Sequence, residues 1–129
     1  MSTSSVRRLV GAALLATTGL VHLKLTPAHL DEMPYIGVLF LLGGASSLIV
    51  AAWLAIREQP LAWAAGAALA GGMLLALVLS RTTGLPSFKE QGLEPAAVVC
   101  LIDEVAFLAL SALGWPSVAR AVPTGSARR

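Results

Sequence analysis

The sequence predicts an all-α fold: an integral membrane four-helix bundle, up-down-up-down, with both termini cytoplasmic. Three observations carry that expectation. Hydrophobic residues make up 57% of the 129 residues and charged residues only 12%, roughly half the charged share of an ordinary soluble domain. So little polar surface could not cover a water-soluble globule. The apolar residues also fall into four runs, each near the ~20 residues a helix needs to cross the hydrocarbon. Finally, Pro, Gly and charged residues separate the runs. The same composition excludes other classes. A net charge of +2 without a cluster of Lys and Arg leaves no footprint for nucleic acid. Cys100 is the single cysteine, which excludes an internal disulfide and any CxxC redox or zinc motif.

Residues 1–5 are expected as an N-terminal tail, 6–122 as one four-span domain and 123–129 as a disordered polar tail. The first span covers about 6–25. Arg7 and Arg8 before an apolar run imitate a signal peptide, but no A-x-A site follows, and His22-Leu23-Lys24 stands where cleavage would fall. Pro27 and Pro34 bracket the first loop. The second span covers about 34–56. Pro60 opens the third, about 61–80, from a first-turn position where a missing N–H costs nothing. Gly84 and Pro86 break the chain after it. Pro95 starts the fourth, about 95–115, with Glu94 at its positive end, and Pro116 ends or kinks it. Between them, Ser87-Phe88-Lys89-Glu90 has capping-box form, so a short lid-like helix is expected over the outer surface.

Charge counting orients the bundle. With both termini cytoplasmic, the inside carries Arg7, Arg8, Arg57, Arg120, Arg128 and Arg129, and the outside Lys24, Arg81 and Lys89. That asymmetry fits the positive-inside rule, and Trp53, Trp63 and Trp115 then fall at an inner aromatic belt. The expected location is the cell membrane, multi-pass, with the lipid bilayer as the first partner. Small residues four apart, Gly43/Ser47, Ala67/Gly71 and Ala68/Gly72, are expected to serve helix packing within the bundle. The other reading of those faces is a homo-oligomer.

The chemistry concentrates in VVCLIDEVAFLAL, residues 98–110. At the centre of a span each charged acid costs about 2.5–3.5 kcal/mol, whereas an apolar residue returns about 0.3–0.6. Asp103 and Glu104 therefore need neighbours, water or a proton. They lie about 100° apart around the helix, so one radius cannot serve both. Glu104 shares its face with Cys100 and Ser111, and is expected to point inward. Arg81 is the expected ion-pair partner, with His22 completing a cluster and Asp103 at its edge. Metal ligation is a weaker reading, with His22 and Glu104 as its candidates, because no pair of histidines has H-x-x-x-H spacing within one helix. Haem is weaker still. Pro27 stands between His22 and His29, so one continuous helix is not expected to carry both. No cofactor is assigned.

GLVHL, the PAHL loop, YIGVLFLL, SRTTGLP and the glutamate of the fourth span together resemble a group of uncharacterised small four-helix integral membrane proteins of actinobacteria. The similarity runs from about Leu9 to Ser111, with SRTTGLP its most specific part. His22, Tyr35, Phe40, Arg81, Gly84, Pro86 and Glu104 match that pattern; Cys100 and Asp103 do not belong to it. A looser similarity, in span count and size only, is to DoxX-like proteins. The resemblance implies the architecture and favours Glu104 over Asp103, and it brings no activity.

Three functions remain in view. The first is a binding module whose outward-facing polar pocket takes a small ligand, ion or lipid headgroup on Glu104, Arg81, His22 and Asp103. The second is an accessory subunit of a larger membrane complex. The third is a proton-transfer or redox-linked membrane enzyme, for which no catalytic residue is assigned.

Overall fold

The computed structural model describes residues 1–120 and residue 125. Four helices follow in order: α1 (Thr3–Glu32), α2 (Pro34–Ile56), α3 (Pro60–Arg81) and α4 (Pro95–Arg120). No strand occurs among the described residues beyond an isolated bridge, Leu85 to Phe88. All four helices are long and apolar enough to cross a membrane. Large apolar side chains such as Leu42, Ile49, Leu75 and Ile102 lie exposed on the outside. That surface suits lipid, which carries no penalty for exposed Leu or Ile. The chain is a multi-pass membrane protein by these criteria.

The helices pack in a ring. α1 lies against α2 and α4, and α3 lies against the same two. α1 and α2 approach closely at mid-helix, at Gly19 and Gly44. A Cβ on Gly19 would stand 2.9 Å from the Gly44 carbonyl oxygen, and a Cβ on Gly44 would stand 2.9 Å from that of Gly19. Small residues at such crossings let backbones touch in lipid.

Several expectations change. The tail expected at residues 1–5 is already helix from Thr3, because the Ser2 hydroxyl accepts the Ser5 N–H at 3.2 Å and caps the turn. The tail expected at 123–129 falls, but for Gly125, outside the described residues. The first loop shrinks to Met33, since α1 runs through Pro27 to Glu32. Proline removes the i→i−4 bond to the Leu23 carbonyl, and the helix continues regardless; one residue earlier the Thr26 hydroxyl donates to the His22 carbonyl at 2.8 Å. Membrane helices tolerate Pro where packing against neighbouring helices holds them, and here α1 packs against α2. Pro116 likewise lies inside α4 instead of ending it.

Nor do the three tryptophans form a common belt: Trp115 is exposed and Trp53 half-buried, but Trp63 lies inside the bundle. Trp63 is only 1% exposed. It stacks on Phe107 at 5.5 Å between centroids, with the Arg7 guanidinium 5.5 Å above it. Arg7 also donates to Glu58 at 2.7 Å. Trp53 does sit at a helix end, donating Nε1–H to Gln59 at 3.2 Å. Of the paired small residues of α3, Ala67 packs against the core, whereas a Cβ on Gly71 or Gly72 would meet nothing within 4 Å.

These contacts divide the bundle lengthwise. Leu15, Leu54, Trp63, Phe107 and Val118 fill the half nearer the termini. Small side chains, Ala76, Ser80, Ala96 and Ala97, line the half nearer the 82–94 loop and leave space there.

A Cβ on Gly66 would stand 2.5 Å from Phe107 Cζ. Gly66→Ala is therefore expected to lower stability by about 1–3 kcal/mol through overpacking. Gly71→Ala, in open space, should stay within about 0.5 kcal/mol of the parent. Thermal or denaturant unfolding of the two variants in one detergent checks the contrast. Equal effects would mean that the Trp63–Phe107 layer does not set the packing.

Candidate functional site

The space at the loop end is a cavity of about 120 Å³. Its polar lining comes from three helices and the loop: His22 and His29 from α1, Ser80 and Arg81 from α3, Glu90 and Glu94 from the loop, and Cys100 and Glu104 from α4. Phe40, Met73 and Leu77 supply apolar wall. Of the residues expected at the site, the fold brings Glu104, Arg81 and His22 to this one cavity. Asp103 is not among its walls. It is half-buried and turned toward Thr18, because the step of about 100° from Glu104 carries it off the inward face.

Glu104 forms the floor. It is 2% exposed, and neither carboxyl oxygen has a hydrogen-bond partner among the described residues. Nine residues beyond Pro95, it lies about 13 Å down the helix. Cys100, one turn nearer the loop, is also buried. Its Sγ lies 3.9 Å from His22 Nδ1.

The two histidines share one continuous helix, against the expectation, and lie two turns apart on one face. Each is held the same way. His22 Nδ1 is 2.9 Å from the Thr18 carbonyl oxygen, and His29 Nδ1 is 2.9 Å from the Leu25 carbonyl oxygen. A carbonyl oxygen only accepts, so Nδ1 carries the proton in both rings. In neutral His22 the lone pair is then on Nε2. Phe40 of α2 braces both rings, stacked on His29 at 4.0 Å and tilted against His22 at 4.8 Å between centroids.

Arg81 corrects a second expectation. It does not pair with Glu104. Its guanidinium forms an ion pair with Glu90, donates to the Gly92 carbonyl at 2.8 Å and reaches the Ser80 hydroxyl at 3.0 Å. Arg81 ends α3 at the mouth, whereas Glu104 lies more than two turns down α4, so the loop carboxylate is nearer. Glu90 also meets His29 Nε2 at 3.2 Å.

The expected lid helix is absent. Residues 85–88 form a tight turn with reciprocal Leu85–Phe88 backbone hydrogen bonds of 2.7 and 2.9 Å. Gly84 at φ +85° lets the chain reverse just before it. Ser87 sits at φ 55°, a left-handed conformation that a helical N-cap does not use. The turn nonetheless covers the mouth. Phe88 is buried and lies 6.2 Å from the His29 ring, and the Tyr35 hydroxyl donates to the Pro86 carbonyl at 2.6 Å. Glu90, His29 and Phe40 are thus part of the site without having been assigned to it from the sequence. The i, i+7 spacing of His22 and His29 was the available signal, masked by Pro27.

The loop closure depends on Glu90. Glu90→Gln is expected to cost about 1.5–3 kcal/mol by weakening charged hydrogen bonds, and to speed amide exchange in residues 82–94. Arg81→Glu should be rescued by Glu90→Arg and not by Glu104→Arg. Rescue by the second exchange would reassign the partner of Arg81.

Comparison of the chain with protein-family models, with curated proteins and with solved structures finds no match.

Proposed function

We propose that the protein is a small membrane binding module whose cavity takes a small positively charged ligand on the Glu104 carboxyl. The observation that carries this reading is the pairing pattern. The acid at the floor has no partner, while the one arginine at the mouth already has one in Glu90. A buried carboxylate normally finds a hydrogen bond or a counter-charge, and within a membrane span an ionisable side chain without one marks a site. A cation would supply what the fold withholds. The apolar wall around Phe40 and Met73 lowers the local dielectric and strengthens that attraction. In this reading the termini are cytoplasmic, the protein sits in the cell membrane, and the cavity opens outward, following the excess of Arg at the termini end. A free cation and the cationic headgroup of a lipid share this chemistry.

The test separates a binding acid from a structural one. Glu104→Met keeps the volume and removes the unpaired charge. It should raise the stability of the ligand-free protein by about 1–3 kcal/mol, the usual penalty of an unsatisfied buried group. It should also abolish thermal stabilisation by whichever probe stabilises the parent among Na⁺, Mg²⁺, Zn²⁺, ethylammonium and phosphatidylethanolamine micelles. A loss of about 3–5 kcal/mol instead, the signature of a broken buried pair, would overturn the reading.

A further inference from the structure

The floor of the cavity gathers three different donor atoms. His22 on α1 and Cys100 and Glu104 on α4 each offer one nitrogen, sulfur or oxygen ligand, all buried and all within 4.8 Å of one another. We propose that these three residues form a binding site for a divalent transition-metal ion of the zinc class. The proposal deepens the binding reading above and rests on it, by naming the cation.

Four features favour such an ion over other cations. First, Cys100 and Glu104 are one turn apart on α4, so both side chains leave the helix on one face. Second, the His22 ring is already anchored as those of metal-binding histidines are, with Nδ1–H donating to a backbone carbonyl and Nε2 left as the ligand atom. Third, the charges balance. A thiolate and a carboxylate together neutralise a divalent ion, so the filled site carries no net charge into the bundle. Monovalent cations and amines would not recruit the sulfur. Fourth, the donor set suits borderline-soft metals, whereas Mg²⁺ and Ca²⁺ seek six or more oxygens.

The geometry is close to what binding demands. Bonds of about 2.0–2.3 Å around a tetrahedral ion place ligand atoms about 3.3–3.8 Å apart. The ligand atoms, within 4.8 Å of one another, must draw in by roughly 1 Å, and the His22 ring, whose Nδ1 is the nitrogen nearest Cys100 Sγ, must turn to present Nε2. Three protein ligands leave a fourth position facing the cavity, the arrangement of sites that exchange water or bind an outside ligand. The mouth cluster of His29, Glu90 and Arg81 lies on the way in. Asp103, turned toward Thr18, contributes nothing.

Co²⁺ tests the sulfur directly. The full-length protein in detergent, titrated with Co²⁺, should bind one ion per chain and develop the near-ultraviolet absorption of thiolate-to-cobalt charge transfer. Excess Zn²⁺ should displace it. Cys100→Ser should abolish the band while the protein stays folded, and His22→Gln should weaken binding by at least ~10-fold. His29→Gln should leave the band intact. A band that survives Cys100→Ser, or no Co²⁺ or Zn²⁺ binding to the parent, would overturn the proposal. If ethylammonium or phosphatidylethanolamine stabilises the parent through Glu104 while neither metal binds, the metal is refuted and the acidic binding pocket stands. If no probe binds and Glu104→Met destabilises, both are refuted.

Discussion

The burial of the Glu104 carboxyl is the constraint around which the loop half of the bundle is organised. In water a carboxylate needs no protein partner. Inside a bundle surrounded by lipid it has only what neighbouring helices provide. Here they provide a histidine, a thiol and a cavity, and no hydrogen bond to either oxygen. Packing that would have excluded the acid is confined to the other half, where Trp63 and Phe107 stack and Leu15 and Leu54 fill the remaining volume. One half of the molecule holds the helices together, and the other is free to hold something else.

The mouth of the cavity is built from long-range contacts at the edge of the apolar spans. α1 continues past Pro27 long enough to carry His29 level with the 82–94 loop, so that one helix lines both floor and mouth. Thirty helical residues measure about 45 Å, against about 30 Å of hydrocarbon. The extra turns therefore project toward water, where the His29–Glu90–Arg81 cluster sits at lower cost than Glu104 below it. Phe40 couples the two levels by touching both imidazoles. The loop is held by hydrogen bonds from Arg81 and Tyr35 more than by its own regular structure.

Local rules were reliable where a residue acts on its own helix. Pro34, Pro60 and Pro95 each open a helix as their fixed φ requires, and the order Cys100, Glu104, Ser111 marks the inward face of α4. They failed where a distant group outbid the local signal. Pro27 reads as a helix end, but packing against α2 keeps the helix intact. The capping-box pattern at Ser87 reads as a helix start, but Glu90 is drawn to Arg81 and His29 and the segment turns instead. Trp63 reads as an interfacial residue, but Arg7 covers it from above.

The number of crossings, their near-exact limits in α2 and α3, and which acid of the Asp103–Glu104 pair is buried were legible from the order of residues. Hydropathy, proline geometry and a fixed angular step are properties of short stretches, so they survive without coordinates. Which basic group answers which acid came from the packing of the helices. Arg81 went to Glu90 and left Glu104 beside His22 and Cys100, because the depth of one residue on α4 relative to the end of α3 is a relation between helices that neither helix encodes alone.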